Sequence, residues 1–471
     1  MTSGNLSDEP IAYRDGDALD RLAPMYASPI ADAFLLHDRE IYVRCDDSVV
    51  AVFSEQYSVS SKQLSVSSKT SSKVDEKLNT EHCTLITLRR SRGYAPEPIR
   101  LEQPFPLPVL AVGGHLKNTF CLGKDHHAFV SHHIGDLENL ETLQSFEEGI
   151  AHFQRLFDIH PEVIAHDLHP DYLSTKWATQ YPISNPKYLI PVQHHHAHIA
   201  SVMAEHGLHD PVIGIAADGT GYGPDKTVWG GEILVADLQD FERVAHLDCV
   251  PLPGGEQAIR QPWRMAAVYL RQAYGDDFLS LDIPFTRQLD KQKWHPLAQM
   301  ISRGLNSPAT SSLGRLFDAV AALIGVRSEA IYEGQAAIEM EMMATAEADR
   351  GVYPFEIRDG SPLKMDMSPT IRAIVQDLQQ GVPVPLIAGR LHQTVAEMLM
   401  EACLCIRQSN GLKDVALSGG VFQNRLLLGH LIPLLESVGF RVYLNQRVPP
   451  NDGGLSLGQA AIASCRLRAM D

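Results

Sequence analysis

The 471-residue chain contains no run of about eighteen apolar residues, so no membrane-spanning helix is expected. None of its seven cysteines forms a C-x-x-C pair, which excludes a zinc knuckle and a thioredoxin-type redox motif. They lie apart at Cys45, Cys83, Cys121, Cys249, Cys403, Cys405 and Cys465, an odd number that fits reduced thiols. The opening Met1-Thr2-Ser3-Gly4-Asn5 has neither a basic nor an apolar leader region, so a cytoplasmic location is expected. Cations are in short supply. Forty Lys and Arg face fifty-seven Asp and Glu, a net charge of −17, which argues against nucleic acid or an anionic membrane as the main partner. A local basic pocket for a nucleotide remains compatible with that balance. With 44% apolar and 21% charged residues the chain can bury an ordinary core, and wholesale disorder is excluded.

Residues 41–53 and 83–90 read as a strand pair. Between them Ser58-Val59-Ser60-Ser61-Lys62 recurs as Ser65-Val66-Ser67-Ser68-Lys69. So polar a stretch has too little apolar surface to offset its ordering entropy, and a disordered Ser-rich insertion is expected near 54–82. A Pro-rich linker then runs to Pro108, and the domain boundary is placed there, with domains 1–104 and 105–471. From Val109 onward strands alternate with helices, which implies α/β layers.

Four segments carry candidate chemistry. The first is Gln193-His194-His195-His196-Ala197-His198. On a helix His194 and His198 share a face, and so do His195 and His198; spacing alone does not choose which pair would chelate a metal. No Glu follows the first histidine as in H-E-x-x-H, so a zinc protease is not expected. The second is an apolar strand, 212–217, running into Asp218-Gly219-Thr220-Gly221. It is read as a Gly-rich turn with a carboxylate and bare N–H groups at a strand's carboxyl end, where phosphates and their metals bind; a plain β-turn accounts for the same residues. No Gly-Lys-Ser/Thr follows, so this is not a Walker A loop. The third, Ser418-Gly419-Gly420-Val421-Phe422-Gln423-Asn424, offers N–H donors and Asn424 at a helix start, where Asn424 also serves as a simple cap. The fourth, Asn451-Asp452-Gly453-Gly454, places Asp452 as a metal ligand or an N-cap. Lys117, Arg260 and Arg264 are further candidates for phosphate or carbamoyl contacts, although most isolated cations are simply solvated.

Taken with Arg44-Cys45-Asp46-Asp47-Ser48, Gly114-His115-Leu116-Lys117-Asn118-Thr119, Asp167-Leu168-His169-Pro170-Asp171-Tyr172 and Tyr332-Glu333-Gly334-Gln335, these segments resemble the hydrogenase-maturation carbamoyltransferases of the HypF family. The resemblance covers nearly all of the chain outside the Ser-rich stretch. It implies two modules: residues 1–104 as the end of a YrdC-like domain, and 105–471 as a TsaD-like domain. The latter belongs to the actin/Hsp70/sugar-kinase superfamily, in which two RNase H-like lobes enclose a nucleotide.

The resemblance also implies the reaction. Carbamoyl phosphate and ATP, with Mg, give carbamoyl adenylate, and the carbamoyl group passes to the C-terminal cysteine of HypE on the way to a cyanide ligand. By motif, His194, His198, Asp218 and Asp452 match a divalent metal site for zinc or iron, with His194, His198 and Asp218 also catalytic. Asp318 resembles a ribose contact, and Gly334 and Asn424 resemble nucleotide contacts. Gly219, Thr220, Gly221, Gly419 and Gly420 belong to the expected nucleotide loops, and Ser3 and Asn5 match the YrdC-like nucleotide segment. The family's acylphosphatase domain, paired zinc fingers and basic ATP-binding motif are absent, so the chain is expected to be the distal part of a longer protein. Two other readings follow: a catalytically incomplete fragment that binds HypE as an accessory subunit, and an antibiotic O-carbamoyltransferase, whose modules run in the opposite order.

Overall fold

The computed structural model describes residues 4–5, 9–23, 29–54, 83–181, 188–344 and 351–470. Among them three sheets form. A two-stranded antiparallel sheet pairs β1 (Val49–Ser54) with β2 (Cys83–Arg89). Residues 41–48, expected to extend this strand, instead run irregularly up to Val49, apart from one isolated bridge at Asp47. The expected Ser-rich insertion falls on residues 55–82, outside the described ones.

The six-stranded sheet has the order β3-β6-β5-β4-β7-β8, from β3 (Ile99–Arg100), β4 (Val109–Ala111), β5 (Cys121–Lys124), β6 (His127–Val130), β7 (Val163–Asp167) and β8 (Leu189–Val192). Strands β4 to β6 form an antiparallel meander, and β7 and β8 continue it in parallel. The larger sheet repeats this plan. In it β9 (Val212–Tyr222), β10 (Val228–Ala236) and β11 (Phe241–Leu247) form the meander. The short β12 (Val250–Pro251) and β13 (Ala309–Thr310) hang beside β10, and β14 (Glu356–Arg358) and β15 (Leu363–Asp366) extend the β11 side. Beyond β9 lie β16 (Asp414–Ser418) and β17 (Arg441–Leu444), both parallel. The α/β expectation with two sheet-based lobes is what the chain adopts.

Alternation along β4 and β7 sends side chains to two cores. Val109, Ala111, Val163 and Ala165 pack with the C-terminal helix Leu455–Arg468, while Leu110, Val112 and Ile164 pack with the helix Leu140–Phe157. The helix His194–His206 lies between the lobes. Gln193 caps it by accepting from the His196 N–H at 2.8 Å, and Gly207 ends it in the left-handed conformation. It is buried on every side from His194 to Ala204. Ala197, Ala200 and Ala204 face the first lobe's core, and Ile199, Val202 and Met203 face the second's. Its alanines and branched residues are covered by one lobe on each side, and this burial places four imidazoles at the lobe junction.

One local expectation changes. Asp218-Gly219-Thr220-Gly221 is not a turn: β9 continues through it to Tyr222, paired with β10. Gly221 and Tyr222 pair with Trp229 and Val228 beyond a register shift at Trp229/Gly231, and this carries the strand through the segment. Among the described residues no helix is long and apolar enough to cross a membrane, and Cys45, Cys121, Cys249, Cys403, Cys405 and Cys465 are free thiols.

Candidate metal centre

Three separate elements converge on one point. The first two turns of His194–His206 bring His194 and His198, the middle of β9 brings Asp218, and the short 3-10 turn Asp452–Gly454 brings Asp452. One ligand atom from each lies within 4.8 Å of all the others. His198 Nε2 is 3.0 Å from Asp218 Oδ2 and 3.6 Å from Asp452 Oδ1. His194 Nε2 is 3.5 and 3.6 Å from the same two carboxylates.

Each ligand is held from behind. His194 Nδ1 donates to Asp167 Oδ2 at 2.8 Å, at the end of β7. His198 Nδ1 meets Ser418 Oγ at 3.3 Å, at the end of β16, and that hydroxyl donates in turn to Asn445 Oδ1. Both imidazoles therefore turn Nε2 toward the carboxylates. Asp218 Oδ1 accepts the N–H groups of Gly219 (2.7 Å) and Gly420 (3.2 Å), which leaves Oδ2 for the cluster. Asp452 opens a turn whose Gly453 carbonyl accepts from Thr119 Oγ1 at 2.9 Å.

The electrostatics are those of a cation site. Burial alone would depress His194, yet Asp452 and Asp167 hold it well above the ordinary imidazole range. His198 is raised against burial by Asp218 and Asp452. Burial likewise opposes the two carboxylates, but the imidazoles hold Asp218 well below its usual range and Asp452 at about 2. Even so, the buried His194 Nε2 has no hydrogen-bond partner among the described residues. A polar atom so placed costs free energy unless something fills the gap. Two imidazoles, two carboxylates and one orphaned nitrogen fit a divalent cation, and the donor set suits zinc or iron.

The glycines here do more than line a loop. A Cβ on Gly221 would lie 2.3 Å from the His195 ring and 2.8 Å from the His194 ring, so its bare backbone makes room for the imidazoles. On Gly458 a Cβ would lie 1.9 Å from the Ala197 carbonyl oxygen, so this glycine lets the C-terminal helix approach the histidine helix.

The remaining expected residues surround this point unevenly. Lys117, in the left-handed region at φ 47, forms an ion pair with Glu333 across the two lobes. A Cβ on Gly219 would sit 3.4 Å from Glu333 Oε1 and 3.6 Å from an Arg315 nitrogen, so these groups share one cleft. Thr220 follows, half-buried in the same strand. Gly334 precedes the helix Gln335–Met343 next to Glu333. Asp318 is buried and pairs with Arg315 at 2.8 Å. Gly419 and Gly420 follow β16, and Asn424 caps the helix Arg425–Ser437 through Leu427 N–H while its amide meets His392 Nε2 at 2.9 Å. Asn5 lines a cavity of about 480 Å³ together with Lys117, Arg89, His133 and Asn451, while Ser3 lies outside the described residues. Arg260 and Arg264 stand apart. Arg260 makes an exposed ion pair with Glu256, and Arg264 is held by Gln261 and the Pro253 carbonyl.

Sequence reasoning does not single out Asp167, Ser418 or Glu333, although each stands within a motif that carries the family resemblance. The signal was present for Asp167, a carboxylate at the carboxyl end of a fully buried strand, as Asp218 was read to be.

Residues 106–205 match the HypF Kae1-like domain, and residues 214–459 match the carbamoyltransferase Kae1-like domain, second subdomain. Carbamoyltransferase HypF of Synechocystis sp. is 40% identical over 97% of this chain and 56% of its own length. A carbamoyltransferase HypF homolog of Cupriavidus necator is 37% identical over 76% of this chain and 91% of its own. A crystal structure of full-length HypF in the phosphate- and nucleotide-bound form superposes with a TM-score of 0.87 at 44% identity, covering 99% of this chain and 67% of that one. The chain spans about half the length of most of the curated relatives it matches. Matched by both Kae1-like domain models across its two lobes, the chain belongs to the HypF carbamoyltransferase family.

Proposed function

We propose that this chain performs the acyl-transfer step of hydrogenase maturation, moving a carbamoyl group from carbamoyl adenylate to the C-terminal cysteine thiolate of HypE. The observation that carries it is the convergence of His194, His198, Asp218 and Asp452 beside the Gly219, Gly420 and Lys117 cleft. In this reading carbamoyl phosphate and ATP, with Mg, supply the adenylate. Residues 1–104 are the end of a YrdC-like domain carrying Ser3 and Asn5, and 105–471 are the transferase domain.

His194, His198, Asp218 and Asp452 would hold a divalent zinc or iron ion, which would supply Lewis acidity toward the phosphate and acyl oxygens. The chain's own groups do the rest. Asp167 and Ser418 keep the Nε2 lone pairs directed inward. The Gly219 and Gly420 N–H groups fix Asp218. Lys117 exchanges Glu333 for the anionic phosphate, and Asp318, Gly334 and Asn424 line the nucleotide side. The thiolate sulfur attacks the carbamoyl carbon, the new S–C bond forms, and the C–O bond to AMP breaks with AMP carrying the electron pair away. The acceptor brings the nucleophile, so the chain needs none of its own.

The test supplies carbamoyl adenylate and HypE to wild type and to His194→Ala. Wild type is expected to transfer one carbamoyl group per HypE and to carry one divalent ion, and the variant to do neither. Normal transfer by His194→Ala refutes the reading. A second reading, a HypE-binding accessory subunit, is favoured by the exposed apolar side chains Val50, Val52 and Leu85 on the small sheet. It predicts HypE binding without transfer even when adenylate is supplied.

A further inference from the structure

We infer that Asp167 is a positioning residue that sets the tautomer, orientation and donor strength of His194; this rests on the metal reading above. Its carboxylate is fully buried, and both oxygens are committed as acceptors. Oδ2 takes the His194 Nδ1–H at 2.8 Å, and Oδ1 takes the His169 N–H at 2.8 Å. With Nδ1 committed as the donor to Asp167, a neutral, metal-binding His194 has its lone pair on Nε2, the orphaned buried atom that faces Asp218 and Asp452. A carboxylate behind a coordinating imidazole also strengthens it as a donor.

The two histidines are not backed alike. His198 rests on the neutral hydroxyl of Ser418 at 3.3 Å, whereas His194 rests on a charge at 2.8 Å. Their rear anchors also come from different sheets: Asp167 ends β7 of the six-stranded sheet, and Ser418 ends β16 of the larger one. His194 is thus the stronger ligand, and through Asp167 the first lobe holds its place in the cluster.

Asp167→Asn tests this with little change in shape. An amide offers one acceptor and one donor where two acceptors are needed. Turned one way, its NH₂ faces the His169 N–H. Turned the other, it faces Nδ1, which then gives up its proton to Nε2 and spoils the ligand. Co(II) affinity is read by chelator competition and its ligand field by visible absorption, in the whole chain and without substrate. Asp167→Asn is expected to bind Co(II) about 10–100-fold more weakly with an altered spectrum, and Asp167→Glu to recover part of the affinity. Unchanged affinity and spectrum in Asp167→Asn overturn the inference. Failure of wild type to bind Co(II) overturns the metal reading instead. A measurement on wild type needs no variant: the Co(II) protein should show two exchangeable, hyperfine-shifted imidazole N–H resonances. Fewer than two overturns the tautomer assignment.

Discussion

Replacing Gly458 with alanine should weaken metal binding without touching a ligand. The new methyl carbon would sit 1.9 Å from the Ala197 carbonyl oxygen and 2.7 Å from its carbon. Both are backbone atoms of a buried helix, so no side chain can swing aside. Reaching the 3.4 Å of ordinary contact requires the two helices to part by about 1.5 Å. Metal–ligand bonds tolerate only about 0.2 Å. Asp452 opens the turn that leads directly into this helix, while His194 and His198 flank Ala197 on the other. Separation therefore withdraws one ligand from two others. The packing cost itself is about 1–3 kcal/mol, which a chain of this size survives. Chelator competition with Co(II) should show a loss at least as large as the ~10–100-fold of outer-shell changes, with a lower thermal midpoint. Gly16→Ala, where a Cβ meets nothing within 4 Å, is the control and should leave affinity unchanged. Wild-type affinity in Gly458→Ala would refute the claim that this helix contact sets the ligand geometry.

Other outcomes are open to test. Adding the bound metal at a hundred times its dissociation constant should stabilise the folded chain by about 2.7 kcal/mol, seen as a raised thermal midpoint that a chelator reverses and that His194→Ala lacks. Lys117→Met should raise KM for the anionic carbamoyl donor while metal content stays constant, since Lys117 pairs with Glu333 and ligates nothing; an unchanged KM would remove Lys117 from the donor site. Burial holds His132 and His392 down at about 4, against an ordinary 6.5. The unfolded chain therefore takes up these protons first, and stability falls as pH drops from about 6.5 toward 4, by about 3 kcal/mol per residue. In urea titrations, His392→Gln should show a flatter acid limb than wild type. An identical slope would mean that His392 is not buried in its neutral form.

Much of the site could be read along the chain because its parts are local. Four imidazoles in five residues, and carboxylates beside glycine pairs, are polar groups that an ordinary core would not accept without partners. Helix periodicity narrowed the imidazoles to pairs, and the family resemblance selected His194 with His198. Asp218 was placed at a strand's end, yet the reading of its neighbours as a turn was wrong. Glycine-rich sequence favours turns, and it is the pairing of Gly221 and Tyr222 with β10 that carries the strand through.

What the sequence determined by itself was the inventory: an acidic α/β chain carrying imidazoles, carboxylates and glycine-rich segments that match one family. What only the tertiary structure decided was which groups meet. Asp167 and Ser418 back the two imidazoles from different sheets, and Lys117 pairs with a residue more than two hundred positions away. Such contacts depend on how two lobes close around one buried helix, and the close approach that Gly458 permits has no signature in local spacing. Periodicity encodes which face of an element is buried; it does not encode which other element comes to lie against it.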